Sequence, residues 1–150
     1  MARGTAAMRM VYRHRQTSTP IKVSFAILAV LLLVILLLVP HAWPGLLAAF
    51  VAAAAVHYLF SSLTIDVSDQ EIAWHFGPGV WRKRLALSDI ESTHPAHVPW
   101  WYGIGVKWTP RGWVYVVSWG DALELRLKNG KAIRIGTDDL RGLAAALANR

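Results

Sequence analysis

The stretch VSFAILAVLLLVILLLV, residues 23–39, contains a single residue that is not apolar, Ser24. A transmembrane helix needs about 20 apolar residues at 1.5 Å rise each, and about 17–25 will serve. The run meets that length and extends outward to Ile21. A second stretch, PGLLAAFVAAAAVHYLFSSL, residues 44–63, carries no formal charge. Leu, Ile, Phe and Val each favour insertion by roughly 0.3–0.6 kcal/mol at a helix centre, and the first run consists almost wholly of them. The second is richer in alanine (Ala48, Ala49, Ala52 to Ala55), so it inserts less strongly and gains from a partner. Small residues let two helix backbones approach closely. Together the runs predict a transmembrane α-hairpin with helices at about 21–39 and 43–63.

Composition agrees. Of 150 residues 55% are hydrophobic and the mean hydropathy is +0.35, high for a soluble chain of this size. A cleaved signal peptide fits less well, because the apolar core is long and no small-x-small cleavage site follows Val39. Nor could the residues that remain enclose both segments as buried core helices.

Charge placement predicts an orientation. Residues 1–22 carry Arg3, Arg9, Arg13, Arg15 and Lys22 with no acidic residue, whereas the connection at 40–45 has no formal charge. Basic residues, including Arg82, Lys83 and Arg84, return after the second helix. The positive-inside rule then places both termini in the cytoplasm and the short turn outside a plasma membrane that the chain crosses twice. Trp43 and Tyr58, near opposite ends of the second helix, suit the two interfaces. The net charge of +7 is concentrated in residues 1–22, so the high pI is a topology signal rather than a nucleic-acid footprint. Cysteine is absent, which excludes disulfides and thiol chemistry.

Beyond residue 63 the pattern changes to short alternating runs broken by turn residues. Seven strands are expected, at 63–68, 71–76, 80–87, 104–109, 113–119, 122–127 and 131–135, with an irregular stretch at 88–102. Asn129-Gly130 between two alternating runs is a strong hairpin signal, since both residues tolerate positive φ. Leu140, Leu143, Ala144 and Leu147 then give an amphipathic helix. Thr137 or Asp138 is expected to cap it, with Asp139 favouring the positive end of the helix dipole. The organisation read here is a basic cytoplasmic tail at 1–20, the hairpin at 21–63 and a β-rich α+β domain at 64–150.

Seven strands closed by a C-terminal helix resemble the pleckstrin-homology (PH)-like superfold, a seven-stranded sheet or partly open barrel. The run Trp101-Tyr102-Gly103-Ile104-Gly105-Val106, then Thr109-Pro110-Arg111-Gly112-Trp113, Leu127-Lys128-Asn129-Gly130-Lys131 and Arg134-Ile135-Gly136-Thr137-Asp138-Asp139, is similar to small bacterial membrane proteins that join a two-helix hairpin to a bacterial PH-like domain. The resemblance implies a fold and an inner-membrane location. It supplies no catalytic residue.

No motif points to catalysis or a cofactor. His94-x-x-His97 has Asp89 and Glu91 nearby, so a mixed metal site is conceivable, but without cysteine it reads better as a polar loop; Gly103-Ile104-Gly105 is not a phosphate loop, and Asp138-Asp139 is better explained by capping. His57, inside the second apolar run, is a candidate intramembrane polar contact that bonds the facing helix. Two surface features stand out. Three successive aromatics, Trp100, Trp101 and Tyr102, cannot all face one core if the segment is extended. They are expected either to touch the membrane or the hairpin, or to place both indoles in the core. Arg82 and Arg84 share one face of their strand, with Lys83 on the other. PH-like domains that bind phosphoinositides use basic residues around an early strand pair, and near an anionic leaflet each basic residue contributes about 1 kcal/mol. Two functions follow as expectations: a membrane-anchored, non-catalytic module presenting its domain to a protein partner, or a domain that contacts membrane lipids through Arg82, Arg84 and the Trp100–Trp101 loop. A transporter subunit using His57 in a relay is more remote, because two helices make no substrate path.

Overall fold

The computed structural model describes residues 9–148; Arg3 and the rest of residues 1–8 lie outside them. Strand β1 (Met10–Thr17) leads into helix α1 (Thr19–Leu38). A 3-10 turn at Pro40–Ala42 follows, then helix α2 (Trp43–Phe60), and the chain re-enters the sheet as β2 (Ser62–Ser68). Both helices are long and apolar enough to cross a membrane, and neither buries a residue within the protein. β1 and β2 are antiparallel neighbours, with Thr17 opposite Ser62 and Arg15 opposite Thr64. The helical hairpin is therefore inserted where a β-turn would join two paired strands.

Within the stretch read as a basic tail, residues 10–17 form an edge strand. Their inward side chains are polar or aromatic rather than aliphatic. Tyr12 donates to Asp139 Oδ2 at 2.9 Å, His14 pairs with Asp138, and Gln16 donates to Ser118 Oγ. A strand held inward by hydrogen bonds carries no apolar alternation to read.

β3 (Glu71–Phe76) and β4 (Val80–Ala86) complete a first sheet in the order β1-β2-β3-β4. The second sheet contains β5 (Ile90–Val98), β6 (Gly105–Thr109), β7 (Gly112–Val116), β8 (Gly120–Leu127) and β9 (Ala132–Gly136), ordered β5-β8-β9-β7-β6 with β7 and β9 parallel. The described residues hold nine strands in two open sheets, not seven, and no closed barrel. The added strand after the hairpin is β5, which occupies most of the stretch expected to be irregular. Pro95 lies within it, and an edge strand tolerates proline because one side of its backbone has no ladder to complete. Asn129-Gly130 does form the β8–β9 turn, with Gly130 at φ +79° and its N–H donating to the Leu127 carbonyl at 2.9 Å.

The sheets face each other across one core. Leu63, Ile65, Ile72 and Trp74 of the first sheet meet Tyr115, Leu123, Leu125 and Ile135 of the second. Trp74 and Tyr115 meet edge to face at 5.2 Å. Helix α3 (Leu140–Ala148) adds buried Leu143 and Leu147. Its cap is Asp139 rather than Thr137 or Asp138: Asp139 Oδ1 accepts from Gly142 N–H at 3.0 Å. Asp138 is instead engaged with His14, and Thr137 Oγ1 accepts from Asp139 N–H. That Gly142 bond, followed by the Tyr12 hydroxyl, holds the Asp139 carboxyl below the usual carboxylate range.

Candidate functional site

The junction between hairpin and sheets fixes which end of the domain faces the helices. Ser18 caps α1, its Oγ accepting from Ile21 N–H at 3.2 Å and donating to the Val117 carbonyl. Its own N–H reaches the Ser61 carbonyl at 2.7 Å. One buried serine thus binds the start of α1, the residue after α2 and the bend that follows β7. Gly77 seals the other side: at φ +47° a Cβ there would lie 2.6 Å from the Leu59 carbonyl oxygen and 2.8 Å from that of Tyr58. Only glycine permits that approach. Phe60, the last residue of α2, packs on Phe76 at 5.6 Å and Trp81 at 5.8 Å.

From this end the aromatic residues can be ranked by register. Trp100, Trp101 and Tyr102 form a 3-10 turn after Val98, which pairs with Gly120 beside the Ser18 and Gln16 contacts. Both indoles are exposed, Trp100 by 69% and Trp101 by 68%, and they meet edge to face at 6.0 Å. Neither fills the core. Tyr102 does pack, over a small outer cluster of Val98, Val114, Val116 and Ala122, and its carbonyl accepts from Lys107 Nζ. Trp81, 55% exposed, packs on Phe60 of α2, and Trp119, 47% exposed, directly follows Val117 and Ser118, which bond Ser18 and Gln16. Trp81 adopts φ +51°, a left-handed conformation that costs a residue with a side chain roughly 1–2 kcal/mol.

Arg82 and Arg84 lie on the outer face of the first sheet and line a shallow groove of about 200 Å³ with Asp66 and Glu71. Lys83, opposite Trp74, is on the other face. Arg84 Nη1 is 3.6 Å from Glu71 Oε1, and Arg13 Nε is 3.3 Å from Asp66 Oδ1. Adjacent rows of this face read Arg15–Thr64–His75 and Arg13–Asp66–Ala73–Arg84. Arg13 and Arg15 thus extend the basic face, a role hidden in the sequence because residues 10–17 gave no strand pattern. The Arg82–Arg84 pair is on the first sheet, and the Trp100–Trp101 pair is in the turn between β5 and β6.

Near the tip of the β6–β7 hairpin Trp108 stands opposite Trp113, both exposed, and Trp113 also lines the junction beside Ile21, Val56 and Phe60. Trp108 and Trp113 line a groove of about 520 Å³ with Pro110, Arg111, Arg126 and Lys131. Glu124 is at its edge: burial raises its pKa, but hydrogen bonds from Arg134 at 2.7 Å and Arg126 at 3.2 Å outweigh that and keep it low. No sequence motif announced this groove, because Trp108 and Trp113 meet only through strand pairing.

His57 faces α1 and stacks on Phe25 with ring centroids 4.7 Å apart. Its buried Nδ1 has no hydrogen-bond partner among the described residues. His94 and His97, three positions apart on β5, project from opposite faces. His94 Nε2 bonds Ser92 Oγ at 3.0 Å. No family model matches the chain, and no curated protein or solved structure matches it either.

Proposed function

We propose that the chain is a membrane-anchored, non-catalytic interaction module. Its hairpin crosses a bacterial plasma membrane with both termini in the cytoplasm, and its PH-like domain is offered to a protein partner. The observation that carries this reading is the insertion of the hairpin between β1 and β2. Two paired strands continue directly into two apolar helices, so the domain is held at the helix ends rather than on a flexible leash. The groove at Trp108 and Trp113 supports a protein partner. It combines two exposed indoles with Arg111 and Lys131. Trp and Arg are enriched among residues that dominate protein interfaces.

The chain has no cysteine, so single-cysteine labelling is clean. In intact cells an impermeant maleimide should label His41→Cys, in the short turn, and spare Asn129→Cys until the membrane is opened. A photo-crosslinker at Trp108 should then yield one discrete protein adduct, lost in Arg111→Glu/Lys131→Glu. The reverse labelling pattern, or no adduct, rejects the reading.

The second reading is contact with anionic lipids, favoured by the four arginines on the outer face of the first sheet. Salt-sensitive binding to anionic vesicles, lost when Arg82 and Arg84 are neutralised, would support it. The full chain is the right material, because residues 64–150 alone lack β1 and leave β2 uncovered.

A further inference from the structure

We propose that the apolar groove at the junction of hairpin and domain takes an acyl chain of a phospholipid from the leaflet next to the domain, and that the surrounding indoles grip its headgroup region. This inference rests on the hairpin crossing a bilayer. One wall of the groove is helical, formed by Ile21, Val56 and Phe60; the other, from the domain, includes Trp81, Ile104, Val106 and Trp113. Its volume is about 580 Å³ and no charged side chain lines it. A pocket that size accommodates a lipid segment.

The occupant follows from what the walls continue into. α1 and α2 bury none of their residues within the protein, so in a bilayer their flanks are covered by lipid. Ile21 and Val56 belong to those flanks and to the groove alike, making the groove an extension of the lipid-facing surface. Water there would find apolar walls and few partners, whereas an acyl chain would bury them favourably. Two exposed indoles line it, Trp81 and Trp113, and the turn that carries exposed Trp100 and Trp101 leads within a few residues to the groove residue Ile104. Indoles prefer headgroup depth, where the ring is apolar and the N–H meets a polar group. Trp81 is held over Phe60 in a left-handed backbone conformation, and such strain clusters at sites of function. Exposed Lys22 and Arg82, each one position from a groove residue, supply cations at phosphate level.

Spin labels on single cysteines at 33, 104 and 129 of the full chain, in nanodiscs of phosphatidylethanolamine and phosphatidylglycerol, test the proposal through collision with oxygen or a water-soluble nickel chelate. Leu33→Cys should favour oxygen and Asn129→Cys the nickel chelate. Ile104→Cys should resemble Leu33→Cys, with an oxygen-to-nickel ratio several-fold above that at 129. A nickel-accessible label at 104 beside a lipid-embedded label at 33 overturns the lipid site and leaves the anchor intact. Protection at 104 from both reagents means that a protein covers the groove, and also overturns it. A water-exposed label at 33 removes the anchor itself and the lipid site with it. As a check without a label at 104, lipids brominated near the headgroup should quench the native tryptophans, and Trp81→Phe should lessen that quenching; equal quenching in both proteins counts against the proposal.

Discussion

The two sheets differ in how they hold the helical hairpin. The first is covalently continuous with it, since β1 runs into α1 and α2 into β2, and Gly77 closes the joint against the last carbonyls of α2. The second has no such continuity and is joined by side-chain bonds, Ser18 to Val117 and Gln16 to Ser118. Backbone continuity fixes the first sheet to the helices directly, whereas the second follows through the core the two sheets share and through these side-chain bonds at the joint.

The comparison is most easily broken at Gly77. In Gly77→Val the added atoms meet the Leu59 and Tyr58 carbonyls at a positive φ. The strain of that φ and the overlap together should cost roughly 2–5 kcal/mol, measured as a large drop in the denaturation midpoint of the detergent-solubilised chain. If Gly77→Val unfolds like the parent, the first sheet is not the rigid joint.

Ser18→Ala sharpens the contrast. Loss of the α1 cap should cost about 0.5–2 kcal/mol. Because the same hydroxyl holds the Val117 carbonyl, hydrogen exchange should quicken at β7 more than at β2. Equal change in both sheets would mean that the second is as firmly fixed as the first.

A smaller effect tests the link between β1 and α3. The Asp139 carboxyl is depressed in the folded chain, so its stabilising contribution is present above the ordinary carboxylate pKa and is lost as pH falls through the lower folded value. Asp139→Asn should flatten the acid limb of a stability–pH curve while keeping an acceptor for Gly142. An unchanged acid limb would show that other carboxylates dominate it. Smallest of all is Arg84→Ala. Its ion pair with Glu71 is exposed at 3.6 Å, and such pairs contribute about 0–1 kcal/mol; the midpoint should barely move, and a large loss would show that the outer face is structural.

The parts legible in the sequence were those with one dominant local signal. Continuous apolar runs announced α1 and α2, Asn129-Gly130 announced the β8–β9 hairpin, and the 3-4 spacing of Leu140, Leu143 and Leu147 announced α3. β1 escaped because its inward face is Tyr12, His14 and Gln16, bonded to residues far along the chain. β5 escaped because Pro95 argued against a strand, and only its edge position makes that proline acceptable. The exposure of Trp100 and Trp101 was one of two open expectations. The groove beside them was invisible, since its walls come from helices and sheets distant in sequence.

The inserted hairpin also imposes an order of assembly. β1 precedes the helices in the chain, yet its partner β2 follows them, so the pairing of Thr17 with Ser62 waits until residues 18–61 have turned back on themselves. In free solution, closing so long a loop carries an entropic cost that grows with its length. A bilayer that takes up α1 and α2 as a pair brings both strand ends to the same surface and removes much of that cost. On the proposed reading, insertion is the template on which the first sheet closes, and a chain that failed to enter a membrane would also leave its basic strand unpaired, a ready mark for quality-control proteolysis.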